Sequence, residues 1–131
     1  MHSYYNKKVC VVTGAASGIG AALCEQLVQC GAVVIAIDID EKGLEKLVVK
    51  GKASTSIIAD VTNFKAMQGA AKQLFVEFGS IDLWFNNVGI AMVGELHQVP
   101  PKQFDQIIDV NLRGQLNGIY AVYSHMVEQG D

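Results

Sequence analysis

A chain of 131 residues, half of them hydrophobic and 18% charged, has enough apolar material for one packed domain and lies outside the disordered range. Its net charge of −3, with no run of Lys or Arg, argues against nucleic acid or an anionic membrane as the main partner. No uncharged apolar run approaches the ~20 residues that span a bilayer, and no signal-peptide core opens the chain, so a cytoplasmic protein is expected. Cys10, Cys24 and Cys30 show neither a metal-ligand spacing nor a disulfide framework and read as small buried hydrophobes. His2, His97 and His125 have no paired ligand spacing, so no metal site is expected.

Strand and helix patterns then alternate without a linker or repeat. A near-continuous apolar run from Lys8 to Thr13 predicts a strand buried on both faces. It breaks into three glycines, Gly14, Gly18 and Gly20, and a helix pattern follows with Ile19, Leu23 and Leu27 on one face, ending by Gly31. A glycine turn between a strand and a helix lets the backbone approach a phosphate at the helix N-terminus. Val33 to Ile37 forms the second strand and stops at Asp38; residues 41–50 make a short charged helix. The third strand is Ser56 to Ala59, ending at Asp60. Thr62 or Asn63 caps the next helix, whose core face is Phe64, Met67, Ala71, Leu74, Phe75 and Phe78, and Gly79 stops it. Ile81 to Phe85 is the fourth strand, leading into Asn86-Asn87-Val88-Gly89 and a long loop to Pro100 and Pro101. From Lys102 to about Gln129 the pattern is helical, interrupted near Asn111 to Gly114. Leu112, Leu116, Ile119, Tyr123 and Met126 form its apolar stripe, widened by Tyr120, Val122 and Val127 beyond what one sheet face needs.

The order βαβαβαβα is half of a doubly wound, Rossmann-type α/β fold, and right-handed crossovers place its strands in the order 3-2-1-4. Residues 1–131 are expected to form one such domain, incomplete at its C-terminal end. Strand order reverses between strands 1 and 4, so a ligand crevice is expected at their carboxyl ends, between the glycine turn and Asn86–Gly89. Asp38 lies eighteen residues beyond Gly20, where a carboxylate accepts from the adenosine ribose hydroxyls and repels a 2′-phosphate. Ala15, Ala16 and Ser17 put no cation in the turn, so NAD is favoured over NADP.

Together these residues resemble the short-chain dehydrogenase/reductase family. Thr13 to Gly20 looks like its T-G-x-x-x-G-I-G motif, Asp60-Val61 like its D-V pair, and Asn86 to Gly89 like its N-N-A-G motif with Val88 for Ala. Asn111, within Asp109 to Leu112, resembles the family's helix-borne catalytic asparagine, whose free backbone carbonyl holds a water in a proton relay. The resemblance implies cofactor contacts at Gly14, Ser17, Gly18, Ile19, Gly20, Asp38, Ile39, Asp60, Val61, Asn87, Gly89 and Val110. Asp60 would accept from the adenine amino group, the Val61 backbone would fix the ring, and Gly89 would admit the adenosine ribose.

The family also uses a serine and a Tyr-x-x-x-Lys pair, whose lysine lowers the tyrosine pKa for general acid/base work. Here that spacing occurs once, Tyr4 to Lys8, at the amino end of strand 1 and away from the crevice; Tyr120 and Tyr123 have no such lysine. The chain ends where a fifth strand is expected. Three functions stay open: an NAD-dependent oxidoreductase represented by its cofactor-binding half and weakly active alone, a non-catalytic NAD-binding module or subunit, and a non-functional remnant. A small-molecule substrate is expected if the remaining half is supplied. Self-association is expected from an exposed aromatic edge at Leu83-Trp84-Phe85 and the wide apolar face of the last helix, through which family members commonly associate.

Overall fold

The computed structural model describes residues 2–130; Met1 and Asp131, the outer limits of the expected domain, lie outside it. A short helix α1 (His2–Tyr5) precedes β1 (Val9–Thr13), α2 (Gly18–Gln29), β2 (Val33–Asp38), α3 (Glu41–Val49), β3 (Thr55–Ile58), α4 (Phe64–Phe78) and β4 (Leu83–Phe85). A 3-10 turn at Leu96–Gln98 leads to α5 (Pro101–Ile108), a π turn at Asp109–Arg113 and α6 (Gly114–Gln129). The four strands are parallel in the expected order β3-β2-β1-β4, with Val11 opposite both Ile35 and Trp84.

Side-chain alternation along the strands divides the core in two. Cys10, Val12, Val34 and Ala36 face α2 and α3, where they meet Cys24, Leu27, Leu44 and Leu47. Val9, Val11, Ile35 and Ile37 face α4 and α6, where they meet Met67, Leu74, Ala121 and Val122. Both faces of β1 and β2 are therefore covered, which is why those strands read as continuous apolar runs. Cys10 and Cys24 are buried and Cys30 is half-buried.

Several local expectations are corrected. Ile19 does not share the packed face of α2; it is 79% exposed, and the buried row is Gly20, Cys24 and Leu27. Gly20 must press on the preceding turn, which rotates Ile19 outward. Phe64 is exposed at the start of α4, whose buried residues are Met67, Ala70, Ala71 and Leu74. Asn63 caps that helix by accepting from the Ala66 amide. The third strand ends one residue earlier than expected, at Ile58. β4 is shorter than expected: side chains join its first pairings, although the Asp82 amide still donates to the Val9 carbonyl at 2.9 Å. Gln129 accepts from the Ile81 amide at 3.2 Å and donates to its carbonyl at 3.3 Å, while Asp82 accepts from the Val9 amide at 2.7 Å. The edge aromatics are half-buried rather than exposed: Trp84 packs against one half of the core and Phe85 against the other.

The largest correction concerns α6. Its sheet-facing row is Gly114, Asn117, Gly118, Ala121 and Val122, and the expected core stripe of Leu112, Leu116, Ile119 and Tyr123 is exposed. Close approach selects that face. A Cβ on Gly114 would stand 2.7 Å from Val61 Cγ2, and one on Gly118 2.0 Å from Asn86 Oδ1, so only glycines let the helix sit where it does. Among the described residues, no helix is long and apolar enough to cross a membrane.

Candidate functional site: the crevice at the carboxyl ends of the strands

The site begins at Thr13, the last residue of β1, whose buried hydroxyl donates to the Phe85 carbonyl at 3.2 Å and accepts from the Asn87 amide at 3.0 Å. Beyond it the chain turns with Gly14 at φ +65° and Gly18 at φ +52°, backbone that side chains rarely adopt. A Cβ on Gly18 would meet nothing within 4 Å, so that glycine faces open space. Gly20 has the opposite role: a Cβ there would fall 2.0 Å from the Gly14 carbonyl oxygen, so it fixes how closely α2 begins behind the turn. The N-cap of α2, Ser17, makes no side-chain cap, whereas Asp40 and Asn63 cap α3 and α4. The positive end of α2 is thus left for another acceptor.

Asp38 closes β2 beside this turn. One carboxylate oxygen accepts from the Ala16 amide and the other from the Asp40 amide, each at 3.0 Å, which leaves lone pairs on both for a further donor. Asp60, after β3, accepts from the amide and hydroxyl of Thr62 in a local turn. Opposite them, Asn87 donates its side-chain amide to the Gly14 carbonyl at 3.3 Å, tying the loop after β4 to the glycine turn. Asn86 is turned the other way and accepts from the Trp84 indole at 3.0 Å.

These elements enclose an open cavity of about 1120 Å³ at the switch point between β1 and β4. Gly14, Ser17, Gly18, Ile19, Asp38, Ile39, Asp60, Val61, Asn87, Gly89 and Val110 all line it. Two expected residues do not: Gly20 packs behind the turn, and Asn111, exposed in the π turn, spends its side chain on Ile90. Asn111 Oδ1 accepts from the Ile90 amide and its Nδ2 donates to the Ile90 carbonyl, both at 2.8 Å. No tyrosine is among the described residues that line the cavity. The Tyr4–Lys8 pair stands at the other end of β1, where the Lys8 ammonium lies 5.0 Å from the Tyr4 ring centre and 3.6 Å from Asp82.

Sequence reasoning missed four contributors. The polar row Lys102, Asp105 and Gln106 of α5, continued by Asp109 at the start of the π turn, forms a further wall, and its i, i+3, i+4, i+7 spacing was a readable signal. Thr13 opens the glycine motif, but nothing in the sequence showed that its hydroxyl bridges to the Phe85 carbonyl and the Asn87 amide. Asn117, buried in α6, donates to the Val61 carbonyl at 2.8 Å, and Gln115 donates to the Val88 carbonyl at 2.8 Å. The lining carries four carboxylates, Asp38, Asp60, Asp105 and Asp109, against Lys102; Asp109 is paired with Arg113 at 3.0 Å.

A glycine turn, an acid closing β2 and a crevice at the switch point define a doubly wound protein built for a nucleotide-like ligand. The sequence pattern of short chain dehydrogenases matches residues 8–131, and the chain belongs to that family. It is 33% identical over 129 residues to the CLA biosynthesis dehydrogenase/reductase of Lactiplantibacillus plantarum, covering 95% of this chain and 45% of that protein. A short chain dehydrogenase/reductase from Burkholderia phymatum, solved in complex with NAD, superposes with a TM-score of 0.91 at 29% identity over 97% of this chain and 47% of that one. The 3-ketoacyl-(acyl-carrier-protein) reductase of Brucella melitensis, solved with NADH, gives 0.90 at 29% identity over 96% and 53%. The chain therefore spans about half the length of these relatives.

Proposed function

We propose that this crevice binds NAD and that the chain supplies the cofactor-holding part of an NAD-dependent oxidoreductase acting on a small alcohol or carbonyl substrate. The observation that carries the reading is the Asp38 carboxylate, held by the Ala16 amide at the rim of a glycine turn with no cation in it. A ribose diol there finds two acceptor oxygens, and a 2′-phosphate finds a negative charge. The turn fits a pyrophosphate: α2 begins uncapped, and Gly18 leaves open space in front of it. Gly89 supports the same reading, because its Cβ would come no closer than 3.7 Å to Asn111 Oδ1. The backbone at 89 is therefore open to close approach by a ligand.

In this reading Asp60 and Val61 border the adenine, with Ile39 and Val110 as apolar neighbours, and Ser17 to Gly20 receive the phosphates. NAD, when bound, supplies the hydride acceptor. Asn111 is the proposed catalytic residue, acting through its backbone carbonyl in the π turn. Among the described residues that line the crevice there is no phenol, so the family's tyrosine acid/base would come from other residues, and binding without turnover is expected of these residues alone. The exposed apolar row of α6, continued by Phe104 and Ile108 on α5, supports self-association into a homo-oligomer. Sedimentation at micromolar concentration showing monomer only would refute that last point.

Isothermal titration of the 131-residue chain with NAD and NADP tests the core of the proposal. NAD should bind more tightly than NADP, and Asp38→Ala should weaken NAD by about 10- to 100-fold through loss of charge-assisted hydrogen bonds. The exposed Gln73→Ala on α4 should change nothing. Equal affinity for both cofactors, or an unaffected Asp38→Ala, would sink the assignment.

A further inference from the structure

We propose that Gln115 is a positioning residue for the cofactor crevice, acting through the backbone of the loop that follows β4. The inference rests on the NAD-binding reading above and adds to it a residue that never touches the ligand.

Residues 87–90 form one wall of the cavity, and they are held from two sides. On the β1 side, Asn87 is fastened to Thr13 and Gly14. Beyond Asn87 the support changes to the other layer. Gln115 Nε2 donates to the Val88 carbonyl at 2.8 Å, and Asn111 brackets Ile90 by its amide and carbonyl. Gly89, which carries no side chain to anchor it, is thus held between two helix-borne amides, one on each neighbour. Asn111 in the π turn and Gln115 in the first turn of α6 both reach the same loop. The glycines on either side of Gln115 make that reach possible. Gly114 lies against Val61 and Gly118 against Asn86, which brings the α6 backbone close to the crevice wall.

Gln115 is half-buried, and its amide is committed to a main-chain carbonyl rather than to solvent. A hydrophobic residue of the same length would keep the packing and lose the donor. The Val88 carbonyl would then turn toward whatever donor is near, carrying Gly89 with it. A crevice wall that must be re-ordered when ligand enters binds more weakly, although the fold is unchanged.

Titration calorimetry with NAD and hydrogen exchange of the Ile90 amide test this, comparing the wild-type chain with Gln115→Met and Gln115→Glu. Gln115→Met is expected to raise the NAD dissociation constant about fivefold, the yield of one neutral hydrogen bond. It should also speed exchange at Ile90 while leaving core amides such as Ile35 unchanged. Gln115→Glu, which sets a carboxylate against a carbonyl, should weaken NAD further at pH 7.5. A general acceleration of all amides would mark Gln115 as merely structural and overturn the proposal. Wild-type affinity in Gln115→Met would overturn it alone, leaving the NAD assignment standing. Failure of the wild-type chain to bind NAD would overturn both.

Discussion

Thr13→Val removes one hydroxyl from the point where three parts of the crevice meet. The Thr13 side chain is 1% exposed, and its hydroxyl serves the Phe85 carbonyl as donor and the Asn87 amide as acceptor, with the Val88 amide further off at 3.5 Å. Valine fills nearly the same volume but leaves a carbonyl and an amide without their partner. Each orphaned group costs about 1–3 kcal/mol, toward the lower end here because both are only part-buried. Exchanging hydroxyl for methyl returns roughly 1 kcal/mol of apolar burial, so the net loss is about 1–3 kcal/mol. Thr13→Ser deletes the methyl and keeps the hydroxyl, for a loss of about 1 kcal/mol. Stability alone separates the two variants narrowly, so NAD affinity is the second readout: Thr13→Val frees the loop after β4, and Thr13→Ser does not. Urea unfolding followed by Trp84, the only tryptophan, reports on β4 directly. A Thr13→Val protein at least as stable as Thr13→Ser, with wild-type NAD affinity, would refute the bridging role.

Two glycine substitutions should have opposite signs. Gly20→Ala forces a Cβ to within 2.0 Å of the Gly14 carbonyl and should lower the melting temperature and abolish measurable NAD binding. Gly69→Ala, inside α4 with nothing within 4 Å of its Cβ, should stabilise by about 0.5–1 kcal/mol by thermal melt. The buried thiols set an alkaline limit: burial pushes Cys10 up to about 11 and Cys24 up to about 12 from the ordinary 9.0, Asp82 adding to the rise at Cys10. Both are neutral in the folded chain while the unfolded chain ionises near 9. Their contribution is whole below pH 9 and is lost as pH rises toward 11 and 12, by on the order of 1.4 kcal/mol per thiol per pH unit. Denaturant midpoints between pH 8 and 11 test the slope, and a flat profile would count against it. At pH 8, a thiol reagent should spare Cys10 and Cys24 in the native chain and label both in urea.

The strand order and the crevice were legible because they follow from pattern and chirality. Strands buried on both faces read as apolar runs, helices as 3.6-residue rows, and right-handed crossovers leave one arrangement. The α6 face was not legible, for a physical reason. Hydropathy assigns the core to large apolar residues, but this helix is seated by the absence of side chains at Gly114 and Gly118. Leu116, Ile119 and Tyr123 were left on the outside by a contact that glycine, not leucine, permits. Ile19 was misread in the same way, because Gly20 beside it chose the packed face. The hydrogen-bond roles of Thr13, Gln115 and Asn117 were hidden because each depends on partners remote in sequence. Of the α5 row only its spacing was there to be read.

A common arrangement underlies the crevice. Its ligand-facing groups are mostly backbone or short side chains, and each is held by a residue from a different element. Asp38 is oriented by the Ala16 amide, Val61 is fastened by Asn117, Gly14 by Asn87, and Val88 and Ile90 by Gln115 and Asn111. Four of these five supports are carboxamides reaching main-chain groups, which fix position without placing charge in a cavity that already carries four carboxylates. A lysine or arginine at 115 would also satisfy the Val88 carbonyl, yet it would place a cation beside the wall, which the neutral amide avoids. The neutral amide holds the wall and, on the NAD reading proposed above, leaves discrimination against a 2′-phosphate to Asp38.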